Sequence, residues 1–135
     1  MFISLEGKVA VVTGASRGIG LAIVQQLAES GAEVVASTRQ TSEELESLSQ
    51  NHSVLPVEAD AVTESGAIQV VDDAVKKFGK VDILINNIGA TDPRQGVGFQ
   101  EITDKEWMEM VEVNLMSVVR STRAALPYLM KQGGA

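Results

Sequence analysis

The chain has 135 residues, 44% of them apolar and 4% aromatic, and a formal net charge of -7. That is enough apolar side chain for one packed domain, while the acidity speaks against nucleic acid or an anionic membrane as partner, since both select basic faces. It contains no cysteine, which excludes disulfides, a thiol nucleophile and Cys-ligated zinc.

Met1–Gly7 lacks the basic and apolar segments of a signal peptide. No apolar run reaches the ~18 residues of a membrane span, so a cytoplasmic protein is expected. Lys8–Thr13 (KVAVVT) is a short Val-rich run that reads as a strand. Ile19–Ser30 follows as a helix with Ile19, Ala22, Ile23 and Leu27 on its apolar face, and Gly31 suits a left-handed C-terminal cap. Glu33–Thr38 (EVVAST) is a second strand and Ser42–Gln50 a short, acidic, exposed helix. Ser53–Glu58 (SVLPVE) is a third strand, and Pro56 within it points to an edge.

Thr63 is the predicted N-cap of a helix running to Phe78, with Ile68, Val71, Val75 and Phe78 on one face and Gly79 as its stop. Val81–Asn86 (VDILIN) is a fourth strand, and Gly89–Gln100, carrying Gly, Asp and Pro, reads as a mobile loop. Thr103 and Glu106 form a capping box that opens one long helix. Its apolar seam is Met108, Val111, Leu115, Val118, Thr122, Ala125 and Leu129; Pro127 should bend it, and Gly133-Gly134 ends it. Trp107 is expected to be partly in the core and His52 in a surface turn with no metal partners. Alternating strands and helices imply a doubly wound α/β fold with a parallel sheet. Right-handed crossovers give the strand order 3-2-1-4 in a single domain without a linker.

The most informative segment is Thr13-Gly14-Ala15-Ser16-Arg17-Gly18-Ile19-Gly20, between the first strand and the first helix. Three glycines there let the backbone turn tightly and approach a bulky anion, with the free N–H groups of the helix N-terminus aimed at a pyrophosphate. Ser16 adds a hydroxyl donor. The spacing G-x-x-x-G-x-G differs from the usual dinucleotide fingerprint, and a tight turn with no ligand is the plainer alternative.

This segment resembles the glycine motif of the short-chain dehydrogenase/reductase (SDR) family residue for residue. Asn86-Asn87-Ile88-Gly89 is similar to that family's Asn-Asn-Ala-Gly, and Asn114 in Val113-Asn114-Leu115 to its helical Asn. Ile88 in place of Ala is a departure that would crowd the turn beside the cofactor. The resemblance covers the whole chain and implies a Rossmann-type sheet. It implies hydride transfer between a nicotinamide cofactor and a carbonyl or alcohol substrate. Gly14, Ser16, Arg17, Gly18, Ile19, Gly20, Thr38, Arg39, Asp60, Ala61, Asn87, Ile88 and Gly89 would then be the cofactor-binding residues. Asp60, with Ala61 beside it, would accept a hydrogen bond from the adenine amino group, although a turn residue ahead of Thr63 is the plainer reading. Asn86 and Thr13 read equally well as structural bonds at the sheet end.

Strand two ends Ala36-Ser37-Thr38-Arg39-Gln40. An acid at this point bonds the ribose 2′-hydroxyl of NAD, whereas Arg accepts the 2′-phosphate of NADP. The end of the strand carries no acid. Arg39, with Arg17 across from it, therefore favours NADP over NAD; two solvated surface arginines are the alternative.

By the same resemblance, catalysis needs a Ser and a Tyr with a Lys four residues later, and Asn114 supports that Lys through a water. The one tyrosine, Tyr128, is followed four residues on by Gln132 and lies ahead of the family's catalytic segment. It reads as a packing residue, leaving Asn114 as the only member of the catalytic set. The chain is thus expected to be the N-terminal, dinucleotide-binding half of the domain, without turnover of its own. Strand four would be left as an edge that a partner or a missing remainder covers, and the long helix makes a homo-oligomer plausible. A non-catalytic module binding nucleotide or another subunit, and a fragment binding nothing, remain open.

Overall fold

The computed structural model describes residues 3–94 and 96–134. Gln95 of the predicted Gly89–Gln100 loop, with Met1, Phe2 and Ala135, lies outside the described residues. The elements in chain order are β1 (Val9–Thr13), α1 (Gly18–Glu29), β2 (Glu33–Thr38), α2 (Glu43–Asn51), β3 (Val54–Glu58), α3 (Glu64–Phe78) and β4 (Ile83–Ile85). A single 3₁₀ turn, Phe99–Glu101, then leads to α4 (Asp104–Val111), a π turn (Glu112–Met116) and α5 (Ser117–Gln132).

The four strands form one parallel sheet in the order β3-β2-β1-β4. β1 is buried along its whole length, as expected of a central parallel strand covered on both faces. Alternation along the strands divides the core. Val11 and Val35 face Val70, Val71 and Ala74 of α3 and Ala125 and Leu129 of α5. Val12, Val34 and Ala36 face Val24 and Ala28 of α1 and Leu45 of α2. Leu45 is fully buried, and burying such a side chain contributes roughly 1.5–3 kcal/mol; with Leu48 packed beside it, it anchors α2. Pro56 sits on edge strand β3, where a missing N–H is tolerated.

Caps follow the predicted chemistry. Thr63 Oγ1 accepts the N–H of Gly66 at 3.0 Å, and α3 ends at Gly79 with φ 83°. Thr103 and Glu106 make the reciprocal capping box of α4.

Helix faces depart from expectation in three places. In α1 the buried residues are Gly20, Val24 and Ala28, while Ile19 is 74% exposed. The absent Cβ of Gly20 lets that side of the helix approach the turn, so the face rotates by one residue. In α3, Val71 is buried as predicted, but Ile68 is exposed because Ala67 and Val70 take the inner positions. The long helix is interrupted by the π turn, whose extra residue shifts the inward stripe. The buried residues of α5 are Ser117, Ser121, Ala125 and Leu129, while Met108 and Leu115 of the predicted seam are exposed. Trp107 is also exposed and rests against exposed Phe99.

The N-terminal end of the sheet is closed by Asp82, 3% exposed. It accepts the Val9 N–H at 2.8 Å and pairs with Lys80 at 3.1 Å and Lys8 at 4.0 Å. Burial opposes its ionisation, but the Val9 bond and the two ammonium groups outweigh that and hold its carboxyl below the ordinary carboxylate range. Among the described residues no helix is long and apolar enough to cross a membrane.

Candidate functional site

At the opposite end of the sheet, the turn after β1 is shaped by two glycines. Gly14 has φ 67°, a left-handed conformation that favours glycine. A Cβ on Gly20 would collide with the Gly14 carbonyl, so the bare α-carbon of Gly20 is what brings α1 against the turn. Asn87 fastens the turn from the other side, its Nδ2 donating to the Gly14 carbonyl at 2.9 Å. Thr13 Oγ1 accepts the N–H groups of Asn87 at 3.0 Å and Ile88 at 3.4 Å and donates to the Ile85 carbonyl at 3.5 Å. Thr13 thus joins the loops after β1 and β4, one of its two predicted roles. Ser42, the N-cap of α2, donates to the Ser16 carbonyl at 2.6 Å and accepts the Leu45 N–H at 3.2 Å.

These loops wall an open cleft of about 1150 Å³ along the C-terminal ends of the strands. Ligands of open α/β sheets bind in this crevice. Four segments line it: the glycine turn (Gly14, Ser16, Arg17, Gly18), the end of β2 and its loop (Ser37 to Ser42), the loop after β3 (Ala59 to Val62), and the loop after β4 (Asn87 to Ala90). Val113 of the π turn and Leu21 and Glu44 complete it. A second hollow, between α1 and α2, is bordered by Leu21, Gln25, Glu43, Glu44, Ser47 and Leu48. It touches neither the glycine turn nor a basic side chain.

Of the predicted site residues, Gly14, Ser16, Arg17, Gly18, Thr38, Arg39, Asp60, Ala61, Asn87, Ile88 and Gly89 share the cleft lining. Ile19, Gly20 and Asn114 lie outside it. Gly20 is buried beneath the turn and Ile19 points away into solvent. Ile88 packs partly against the core between sheet and α3, so its larger side chain is accommodated on the protein side of the turn.

Two features of the cleft are left without partners by the protein. Arg17 and Arg39 are exposed and form no ion pair among the described residues, although the chain is acidic. Arg17 also leaves the N-terminus of α1 without a side-chain cap, so backbone N–H groups there remain free to meet an anion. The hydroxyl of Ser37 is 99% buried in residue terms (1% exposed) and has no hydrogen-bond partner among the described residues. Buried hydroxyls are normally satisfied, and Ser37 borders the cleft, beside Thr13 in the sheet register. By contrast, the Thr38 hydroxyl is occupied by Gln40, donating to its carbonyl at 2.8 Å and accepting its N–H at 3.2 Å. It shapes the turn that presents Arg39. Ser37 was not among the predicted residues; its signal in the sequence is a polar side chain within an otherwise apolar strand, at the end where that strand meets the glycine turn.

Beside the loop after β4, Asn114 sits in the π turn. Its side-chain oxygen accepts the Ala90 N–H at 3.0 Å, and its nitrogen donates to the carbonyls of Ala90 at 2.9 Å and Met110 at 3.0 Å. The loop after β4 is therefore sewn to the helix at the cleft edge. Arg94 makes a second fastening, pairing with Asp92 at 2.7 Å and Glu106 at 2.8 Å. The Arg94 hydrogen bonds bring the Asp92 carboxyl down to about 2. Glu106 is lowered first by the Thr103 N–H and further by Arg94. Tyr128 packs against the α3–α5 core with Lys131 Nζ 5.6 Å from its ring centre. No group of three metal-ligating side chains occurs among the described residues.

Comparison with known proteins agrees with this geometry. The chain belongs to the short chain dehydrogenase family, whose sequence profile matches residues 8–135. It is 39% identical over 132 residues to the uncharacterized oxidoreductase YvaG of Bacillus subtilis, covering 93% of this chain and 47% of that protein. It is 38% identical over 133 residues to the 3-oxoacyl-[acyl-carrier-protein] reductase FabG of Thermotoga maritima, covering 95% and 52%. The crystal structure of a putative short-chain dehydrogenase/reductase from Burkholderia xenovorans superposes with a TM-score of 0.86 at 35% identity, covering 97% of this chain and 52% of that one. The chain thus spans about half the length of the relatives it matches.

Proposed function

We propose that residues 1–135 form the dinucleotide-binding part of a single oxidoreductase domain and that the cleft takes NADP(H) in preference to NAD(H). One observation carries this reading: two arginines with no ion-pair partner among the described residues line one cleft, Arg39 directly after β2 and Arg17 in the glycine turn, where the adenosine ribose of a dinucleotide would lie. A 2′-phosphate there meets both arginines. Arg17 and Arg39 supply charge-assisted donors; the Ser37 hydroxyl is closed off from the cleft surface. The N-terminus of α1 meets the pyrophosphate, Asp60 the adenine amino group, and Asn87 to Gly89 the nicotinamide side.

When bound, the nicotinamide group supplies the hydride chemistry. This chain's residues bind and orient it. Asn114 holds the loop at Ala90 that borders the reacting end. The developing alkoxide also needs a proton donor, and Tyr128, packed against the α3–α5 core, does not supply it. The donor is assigned to residues outside these 135, and the substrate of the whole protein is a carbonyl compound or alcohol. The reductase name of the Thermotoga maritima relative supports that direction. Exposed Leu126 and Met130 on α5 support self-association through that helix.

Equilibrium titration of the purified chain with NADPH and NADH tests the reading. NADPH is expected to bind at one site and at least about tenfold more tightly than NADH, which corresponds to about 1.4 kcal/mol. Equal affinities would refute the NADP preference, and no binding of either would refute the cofactor site.

A further inference from the structure

Arg120, on the first turn of α5, joins two parts of the molecule that the sequence keeps far apart. Its Nη1 donates to the Val62 carbonyl at 2.9 Å and to Glu112 Oε2 at 2.6 Å. The Arg120 side chain is 21% exposed, so the pair is sheltered on the arginine side. An α-helix advances about 100° per residue, so residues eight apart would diverge around the axis. The extra residue absorbed by the π turn brings Glu112 and Arg120 back to one face. The bridge therefore depends on the same irregularity that carries Asn114.

Its other end reaches the cleft. Val62 lines the adenine side, and its N–H donates to Asp60 Oδ1 at 3.1 Å. Thr63 Oγ1 donates to the Asp60 carbonyl at 2.7 Å, closing the turn. Asp60 Oδ2 takes no donor among the described residues. Arg120 thus ties the π turn to the carbonyl of Val62, the residue whose own N–H is bonded to the Asp60 carboxylate.

We propose that Arg120 is a positioning residue for the adenine end of the cleft: by holding the Val62 carbonyl against the π turn, it fixes the turn in which Asp60 presents its free carboxylate oxygen to the base. This rests on the reading that the cleft takes an adenine dinucleotide. It adds that recognition of the base is set from α5, and that the adenine pocket and the Asn114 loop move as one body.

The test compares NADPH with its analogue in which hypoxanthine replaces adenine, so that a carbonyl stands where the amino group was. The native chain should bind NADPH about tenfold more tightly than the analogue, the effect of one hydrogen bond to a charged acceptor. Arg120→Met should reduce that ratio to about one, chiefly by weakening NADPH, while Arg120→Lys restores part of it. A general loss of stability would weaken both ligands alike and leave the ratio standing. An Arg120→Met chain that keeps the native ratio overturns the proposal while leaving the cofactor assignment intact; a native chain that binds neither ligand overturns both. Should Arg120→Met fail to fold, hydrogen exchange of the native chain decides. NADPH must protect residues 60–64 and 112–120 together, and protection confined to 60–64 would contradict the coupling.

Discussion

The two ends of the sheet are built on opposite terms. At the N-terminal end Asp82 is buried and fully engaged by Val9, Lys80 and Lys8, and Lys80 also donates to the Gly7 carbonyl at 2.5 Å. At the C-terminal end an arginine pair stands unpaired among the described residues, a helix N-terminus lacks a side-chain cap and the Ser37 hydroxyl is buried without a partner. The same strands supply both ends, so the difference is not one of fold. Saturated polar groups contribute to stability. A buried polar group left without a partner costs about 1–3 kcal/mol, so each one calls for a reason.

Breaking the glycine turn should have the largest effect. Gly20→Val places a branched side chain against the Gly14 carbonyl and is expected to destabilise the fold by about 3 kcal/mol or more, measured by urea unfolding, with NADPH binding lost as well. Unchanged stability would mean that α1 does not rest on the turn. Arg39→Asp acts on the cleft alone. It should weaken NADPH roughly 50-fold, within the range for charge-assisted bonds, leave NADH unchanged or better bound, and barely alter unfolding. A parallel drop in both cofactors would show Arg39 to be a general charge and not a reader of the 2′-position.

Asp82→Asn should do the converse. Weakening the Val9 bond and removing the charge should cost about 2 kcal/mol at neutral pH without altering NADPH affinity. Because the Asp82 carboxyl is held below its ordinary value in the folded chain, its stabilising contribution is fully present above the unfolded value. It is lost as the pH falls through the lower, folded one, mainly below about pH 5. Unfolding followed against pH should therefore show a flatter acid limb in Asp82→Asn; coincident limbs would remove Asp82 from the account. Ser37→Ala gives the smallest effect and the sharpest contrast. It deletes an unsatisfied hydroxyl that is closed off from the cleft, so the chain should be equally or slightly more stable, by under about 1 kcal/mol, with NADPH binding unchanged. A less stable variant would show that the hydroxyl serves the fold, and weaker NADPH binding that the ligand reaches it.

Local chemistry was the part of this molecule legible in the sequence. Thr63, Gly79 and the Thr103–Glu106 pair mark helix ends because caps act within a few residues. The strand–helix alternation leads to the 3-2-1-4 order because crossover handedness leaves few alternatives. What escaped depends on contacts distant in sequence. The face of α1 turns on Gly20 meeting Gly14, which puts Ile19 in solvent. The π turn at Asn114 shifted the seam of the long helix, so Leu115 is outside and Ser117 inside. At the site, the glycine turn with Arg17 and Arg39 directly after β2 stood out by residue type. Ser37 did not, because its meaning lies in a missing partner, which appears only when burial and hydrogen bonding are known together.

The central claim is that ligand binding is confined to the end of the sheet with unsatisfied donors. It is tested most directly by following backbone amide resonances of the labelled chain during titration with NADPH. Saturable shifts are predicted at residues 14–20, 37–41, 60–62 and 87–90, with Lys8, Val9, Lys80 and Asp82 unmoved. Shifts centred on the Asp82 end, or none at saturating NADPH, would contradict it.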